Sequence, residues 1–557
     1  QDQTQEKDHR QHRGPARHLV RGEPVHTGRQ QVREDRRSRE RRQHRREHVK
    51  QREQRNPDTD PHSGLHSLGG EIAHRIIKAC RELNITSIAI YSEADKNALH
   101  VRRADEAYLI GNSPANESYL NKEKIIELAK KVNADAIHPG YGFLSENSEF
   151  IEMVENSGIN FIGPSSKSVK LMGGKTDARD LMMKNNVPIV PGTTEPIYTI
   201  EEGKKIAKEI GYPIMLKAVA GGGGKGMRKI YNDDEFETAF QLASSESKKA
   251  FGNSSVYIEK YIENPKHIEV QILADKHGNY IHLFERECSV QRRHQKVIEE
   301  APSISIDESI RERITQTSIQ AAKACNYFNA GTIEFLLDKN KNFYFLEMNT
   351  RLQVEHPVTE MITGFDIVKE QIKIAEGNKL SIKQDDLKIN GHAIECRVYA
   401  EDIDNNFSPS IGKITLHRLT SGPGIRIDRG IDISSDVPIY YDPMLAKVIA
   451  WGRTREESIE RMKRALSEYQ ICGVTTNMPV FKWILNQDEF LDGSFDINFL
   501  EQKLMPLIPN KWRENLPEEL ENVITVVTAL LKNEKKYFNS SSNSKEVKNK
   551  WRDLLYE

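Results

Sequence analysis

The feature that most constrains this chain is an alternation of helical and strand-like periods between Gly70 and Gly163. Apolar residues at Ile72, Ile76, Ile77 and Leu83 repeat at helical spacing, and a β-branched run over 85–90 follows directly. Helical patterns over 119–132 and 147–156 are each followed by a short strand-like stretch, at 135–138 and 160–163. Strands alternating with helices of this length predict a parallel α/β sheet. From Pro213 the pattern changes. Strand-like segments over 214–219, 256–262, 267–274, 280–285, 332–337 and 343–348 succeed one another, with helices only at 233–251 and 307–325. That order predicts an α+β unit around an antiparallel sheet. A third stretch is strand-like over 392–401 and ends in a helix over 456–469. The predicted fold class is α/β and α+β multidomain.

Residues 1–69 have another character. They carry 17 Lys/Arg against 11 Asp/Glu, eight of the 18 histidines and no aromatic residue, whereas the rest of the chain has 64 Lys/Arg and 71 Asp/Glu. Such a segment cannot bury enough apolar surface to offset its ordering entropy, so it is read as disordered or non-native. A basic arm on nucleic acid is the functional alternative, and the acidic balance of the remainder argues against it. The residues ahead of Gly70 read Pro61-His-Ser-Gly-Leu-His-Ser-Leu68, which is not the text of a buried strand. The parallel sheet is therefore expected to lack its first strand. No apolar run approaches the ~18 residues of a membrane helix, and no signal-peptide pattern is present. Cys80, Cys288, Cys325, Cys396 and Cys472 lie far apart without a CxxC pair, which excludes a disulfide scaffold and argues against a zinc ribbon. The expected compartment is the cytoplasm. Residues 505–557, with Trp512, an apolar period over 523–531 and a Ser/Asn-rich stretch over 539–544, are expected to form a helical appendage with a linker.

Chemistry concentrates in a few places. Lys217-Ala-Val-Ala-Gly-Gly-Gly-Gly-Lys225-Gly-Met227 sets four glycines between two strands. Without Cβ atoms their N–H groups can close on phosphate oxygens, and Lys217 and Lys225 add charge. With no GKS/T and no following helix it is not a P-loop, and two lysines inside a hairpin are unlike a flexible linker. Glu334 and Glu347 each sit in an otherwise apolar strand, where an unpaired charge costs several kcal/mol. Adjacent antiparallel strands would bring both to one face with Asn349, an oxygen set suited to Mg²⁺ beside nucleotide phosphates. The plainer alternative, two acids facing solvent at a sheet edge, fits the apolar flanks poorly. Arg351, Gln353 and Glu355 alternate just downstream. An Arg fork, an amide and a carboxylate on one side suit a small planar oxyanion that must lose a proton. A further polar cluster, Cys288-Ser-Val-Gln291-Arg-Arg-His294-Gln-Lys296, has few aromatics for base stacking.

Together these motifs resemble the biotin carboxylase family of ATP-grasp enzymes. The resemblance rests on His138-Pro-Gly-Tyr-Gly-Phe-Leu-Ser-Glu146, the tetraglycine loop, Glu285-Arg-Glu-Cys-Ser-Val-Gln-Arg-Arg-His-Gln-Lys296 and Glu347-Met-Asn-Thr-Arg-Leu-Gln-Val-Glu-His-Pro357, and it covers roughly 70–504. It departs at the front, where the family's Ile-Ala-Asn-Arg ahead of Gly-Glu-Ile-Ala is replaced by His-Ser-Leu-Gly. The resemblance implies an N-terminal α/β domain over 70–173, an ATP-grasp domain over 174–392 with a mobile lid at about 190–262, and a C-terminal domain over 393–504. It implies that Lys175, Lys217, Gly222, Gly223 and Gly224 hold ATP phosphates, with Glu259 and Lys260 at the adenine edge. Met227, His267, Gln291, His294 and Leu336 would complete the nucleotide site, and Glu334, Glu347 and Asn349 the Mg²⁺ (or Mn²⁺) site. Lys296, Arg351, Gln353 and the Val354 backbone would grip bicarbonate, Glu355 would remove its proton, and Arg397 would stabilise the biotin enolate. No Ala-Met-Lys-Met biotin-attachment sequence occurs. Implied partners are therefore a biotin carboxyl carrier protein and a carboxyltransferase subunit, with a second copy of the chain as a homodimer. Implied parent complexes are an acetyl/propionyl-CoA carboxylase first and a two-subunit pyruvate carboxylase second. The remaining alternative is an ATP-grasp ligase of the carbamoyl-phosphate synthetase type.

Overall fold

Five parallel strands, β1 (Ser63–His66), β2 (Thr86–Ser92), β3 (Glu106–Gly111), β4 (Ala136–His138) and β5 (Asn160–Phe161), pair in the order β3-β2-β1-β4-β5. The computed structural model describes residues 63–66, 70–218, 227–251 and 255–509. The remainder of the basic segment, the glycine loop with Gly222, Gly223 and Gly224, and all of the appendage after 509 lie outside the described residues.

The alternation read from the sequence becomes helices Gly70–Glu82, Lys122–Lys131 and Ser148–Asn156 against that sheet. Ile88, Ile125, Ile137 and Phe150 form its core. Asn121 and Asn147 start two of the helices by accepting from the Lys124 and Phe150 N–H groups, at 3.0 and 2.8 Å.

The expectation of a missing first strand is corrected. Ser63–His66 occupies the centre of the sheet, with Leu65 opposite both Ile88 and Ile137. A parallel ladder is built from main-chain N–H and C=O groups, so a four-residue strand between two apolar neighbours needs little apolar text of its own.

A second, three-stranded antiparallel sheet contains β6 (Ile214–Ala218), β7 (Met227–Ile230) and β8 (Val256–Lys260) in the order β7-β6-β8. Helices Ile200–Ile210 and Asp233–Phe251 pack on it around its own core of Leu216, Phe236 and Ile258. The tetraglycine loop joins β6 to β7.

The largest sheet has eight strands. β9 (Lys266–Ala274), β10 (Tyr280–Arg292), β11 (Gln295–Ala301), β12 (Asn329–Leu337), β13 (Phe343–Asn349) and β14 (His392–Tyr399) join strands Met444–Gly452 and Ile425–Arg429. Their order is β13-β12-β9-β10-β11-β14, then Met444–Gly452, then Ile425–Arg429. The ladder is continuous across residue 392, since β14 pairs with β11 on one side and Met444–Gly452 on the other. Two stretches that the sequence separates thus share one antiparallel sheet. β10 runs seven residues beyond the strand pattern and returns through Arg293 and His294, whose φ angles of 48° and 65° are those of a tight two-residue hairpin.

Candidate active site

β12 and β13 pair with Glu334 opposite Glu347 and Thr332 opposite Asn349. The side-chain period of two therefore brings both acids and Asn349 to one face. The same rule brings His267 and Glu269 of β9 to that face, because β9 pairs with β12 at His267–Leu336 and Glu269–Glu334. Across β10, Lys296 of β11 reaches into the group. Its Nζ donates to Glu269 Oε2 at 2.5 Å, Glu334 Oε1 at 2.7 Å and Glu355 Oε1 at 2.7 Å.

The segment after β13 is irregular rather than extended, yet it converges as the alternation implies. Arg351 Nη1 donates to Gln353 Oε1, Gln353 Nε2 donates to Glu334 Oε1 at 3.1 Å, and Glu355 is the residue before helix His356–Thr363. Arg397 of β14 closes the group, donating from Nη2 to Glu355 Oε2 at 2.9 Å.

Burial and neighbouring charges compete at these groups. Burial works against the Lys296 ammonium, but the carboxylates of Glu269, Glu334 and Glu355 outweigh it and hold its pKa well above the ordinary lysine value. Burial also raises the Glu355 carboxyl, and Lys296, Arg397 and Arg286 reverse that to hold it well below the usual range. Glu334 is likewise lowered, burial being overcome by Lys296 and His267. Glu347 moves the other way. Desolvation and the neighbouring Glu334 raise it, although its side chain opens to the cleft.

Lys296, Glu334, Glu347, Asn349, Arg351, Gln353 and Arg397 line one cleft of about 650 Å³, together with Lys175, Lys217, Met227, Glu259, Lys260, His267, Gln291, His294 and Leu336, while Glu269, Arg286 and Glu355 are buried behind them. The described part of the expected nucleotide set is thus gathered with the expected oxyanion set. Two lysines are already engaged: Lys217 pairs with Glu259, and Lys260 Nζ donates to the carbonyls of Gly211 and Tyr212 at 2.8 and 2.9 Å. Lys175 has no ion-pair partner among the described residues, and burial lowers its pKa, with Glu347 opposing. Apolar Val190, Met215, Leu336, Leu346 and Ile497 form a wall suited to a planar base.

Glu347 has no hydrogen bond or ion pair among the described residues, so a carboxylate facing the cleft is free to ligate. With the Glu334 carboxylate and the Asn349 amide oxygen, the donor set fits a hard cation. A second set of close donors, His267, Glu269 and Glu334, has no carboxylate as open as Glu347, because Lys296 bridges Glu269 and Glu334 and Arg286 also holds Glu269.

Sequence reasoning missed several members. Glu269 carried the signal that exposed Glu334, an acid in an apolar strand, alternating with His267 and Gln271. Arg286, fully buried, holds Glu269 at 2.5 Å and donates to Gln271, Thr359 and Thr332. Glu146, inside a motif quoted above, accepts from the Thr350 N–H and from Arg351 Nε, each at 2.9 Å. Ile497 reaches the cleft from far along the chain, a placement that no local pattern announces.

Three family models match: "Biotin carboxylase, N-terminal domain" over 67–169, "Carbamoyl-phosphate synthase L chain, ATP binding domain" over 174–383, and "Biotin carboxylase C-terminal domain" over 395–502. Biotin carboxylase 1 of Bacillus subtilis is 52% identical over 433 residues, covering 78% of this chain and 96% of that protein. The chain belongs to the biotin carboxylase family. Biotin carboxylases are ATP-dependent ligases of biotin-dependent carboxylases. One pyruvate carboxylase subunit, from Methanothermobacter thermautotrophicus, is also 52% identical, over 78% of this chain and 88% of that one. Among solved structures, the biotin carboxylase domain dimer of Hydrogenobacter thermophilus 2-oxoglutarate carboxylase, in complex with MgADP, ADP and bicarbonate, superposes with a TM-score of 0.77 at 48% identity. That match covers 82% of this chain and 99% of the other.

Proposed function

We propose that the chain is the biotin carboxylase subunit of an acyl-CoA carboxylase of the acetyl/propionyl type, using ATP and bicarbonate to carboxylate biotin on a separate carrier protein. The observation that carries the chemistry is the chain of hydrogen bonds that joins Gln353, Glu334, Lys296, Glu355 and Arg397 beside the cleft.

In this reading Lys296, Arg351, Gln353 and the Val354 backbone hold bicarbonate, and Glu355 takes its proton. The low pKa of Glu355 is compatible with that task. An anion arriving beside Lys296 and Arg351 shares their charge, which raises the basicity of a carboxylate that depends on the same ammonium. Glu334, Glu347 and Asn349 would hold the divalent ion, which when bound neutralises phosphate charge. Lys175, Lys217 and the glycine loop with Gly222, Gly223 and Gly224 would hold the phosphates. Met227, Glu259, Lys260, His267, Gln291, His294 and Leu336 would surround the rest of the nucleotide. Arg397, which faces the cleft and a neighbouring cavity of about 600 Å³, would stabilise the negative charge that develops on biotin.

The domain limits 70–173, 174–392 and 393–504 belong to this proposal, with the small sheet as a lid over about 190–262. A lid of that kind excludes water while a labile carboxylating species exists. A homodimer, a biotin carboxyl carrier protein, a carboxyltransferase partner and a cytoplasmic setting are also proposed. All five cysteines are unpaired, as in a reducing compartment, and no helix among the described residues is long and apolar enough to cross a membrane.

A second reading, membership of a pyruvate or other 2-oxoacid carboxylase, is favoured by relatives named for those activities at similar identity. The reaction itself is tested by bicarbonate-dependent phosphate release from ATP that free biotin stimulates. Absence of that release rejects the proposal, and release with ammonia or carbamate that ignores biotin supports a ligase of the carbamoyl-phosphate synthetase type. Purification with the carboxyltransferase, followed by assay on acetyl-CoA, propionyl-CoA and pyruvate, identifies the acceptor.

A further inference from the structure

Beside Arg397 lies a group of buried charges for which the proposed chemistry has no use. Glu299 of β11 and Glu395 of β14 are direct cross-strand partners, and Arg397 of β14 is opposite Lys447 of strand Met444–Gly452. Glu299, Glu395 and Lys447 are wholly inaccessible to solvent. Lys447 is committed elsewhere, donating to the Val354 carbonyl at 2.7 Å and pairing with Glu71 at 3.1 Å. Glu395 has no hydrogen-bond partner for either oxygen. Neither Glu299 oxygen nor Arg397 Nε has a hydrogen-bond partner either, but the two charges form a close ion pair, with Nε 2.5 Å from Oε1.

Arg397 is therefore paired at two points. Glu355 accepts from Nη2 and Glu299 lies against Nε. In the proposed reaction Glu355 gains a proton, so its hold on Nη2 weakens at the moment when the guanidinium must stay aimed at biotin. We propose that Glu299 is a positioning residue for Arg397, the carboxylate that holds the guanidinium while Glu355 changes its protonation. This inference rests on the biotin carboxylase reading given above.

The two buried acids are not equivalent. Burial drives the Glu395 carboxyl well above the usual range, with Lys447 opposing and Glu299 and Glu71 adding to the shift, and neither of its oxygens has a hydrogen-bond partner. Burial pushes Glu299 up to about 7, with Arg397 opposing. The groups that face Glu299 are Arg397 and Glu395 from β14, Glu355 from the turn before helix His356–Thr363, Lys296 from its own strand and Glu269 from β9. A raised carboxyl pKa means that the ion pair with Arg397 exists above about pH 7 and is lost as the pH falls through it.

The test uses the full chain, free biotin as acceptor, and phosphate release with and without biotin. If the unaltered chain shows no biotin-dependent release, the functional reading fails before the inference is reached. If it does, Glu299→Gln is expected to lower the biotin-dependent kcat at least tenfold, leave the KM for ATP and the biotin-independent, bicarbonate-dependent rate within threefold, and lose the acid limb near pH 7. Glu395→Gln, an isosteric change at the adjacent buried position whose oxygens have no hydrogen-bond partner, is expected to keep at least half of the biotin-dependent rate. Should Glu299→Gln fail to fold, Glu299→Asp keeps the charge but withdraws it by one methylene, and a three- to tenfold loss confined to the biotin-dependent rate is expected. A Glu299 variant within twofold of the unaltered chain overturns the inference. So does one that lowers both rates by the same factor, or an acid limb that survives in Glu299→Gln.

Discussion

Lys296→Gln is the most informative single change, because one ammonium answers three carboxylates at 2.5, 2.7 and 2.7 Å. Removing one member of a buried ion pair costs about 3–5 kcal/mol, since the partner is left uncompensated. Moving a carboxyl from its ordinary pKa of 4.5 to neutrality takes about 3 kcal/mol at ~1.4 kcal/mol per pH unit. These figures are comparable, so the variant is expected to fold and to take up about one proton near pH 7. Arg286 still compensates Glu269 and Arg397 still compensates Glu355, which leaves Glu334, with His267 beside it, as the group that responds. A protonated Glu334 no longer accepts as a carboxylate from Gln353, and the charge beside the bicarbonate is lost as well. Losses of a preorganised charge of this kind are about 10²–10³ in kcat. Lys175 and Lys217 remain in the cleft, so nucleotide affinity should change less than tenfold. The assay is bicarbonate- and biotin-dependent ADP release at saturating ATP, beside calorimetric titration with MgADP. Turnover within tenfold of the unaltered chain, or loss of nucleotide binding in step with turnover, would refute the reasoning.

Other outcomes follow from the same contacts. Glu355→Gln should retain MgADP binding within threefold and lose at least 99% of turnover, and an active variant would remove Glu355 as the base. Glu347→Gln should raise the Mg²⁺ concentration needed for half-maximal activity about tenfold, measured by titration at fixed ATP, and an unchanged requirement would take Glu347 out of the metal site. Glu300 is buried, and His392 and Arg455 overcome that burial to lower its pKa to about 2. Its contribution, about 3 kcal/mol at ~1.4 kcal/mol per pH unit, is intact above the ordinary value of 4.5 and is lost as the pH falls towards 2. Glu300→Gln should therefore lower the thermal midpoint at pH 7 and narrow the gap between pH 7 and pH 3, and an unchanged pH dependence of melting would contradict that linkage.

Much of the site was legible because its chemistry violates local rules. Glu334 and Glu347 stand out as charges in apolar strands, and the period of two is enough to place them together once the strands are adjacent. Glu269 broke the same rule and went unread, because its strand also holds His267 and Gln271 and so looks less apolar. Arg286 and Lys447 gave no signal at all, since a basic residue in a strand is ordinary until its surroundings are known. β1 failed in the opposite direction. Its four residues have little apolar content, and its position depends on ladders to β2 and β4 that no property of Ser63–His66 announces.

By itself the sequence determined the elements and the residue types. Helical and strand periods, the glycine run, the acids in apolar strands and the Arg351–Gln353–Glu355 series are local properties, set by spacing along the chain. Tertiary structure decided which charges meet. β11 lies between β10 and β14 in one sheet, and that arrangement alone gives Lys296 three carboxylates, gives Arg397 two, and leaves Glu395 with no hydrogen-bonding partner. Charge states in a buried site depend on neighbours separated by tens of residues, and those distances exist only once the chain has folded.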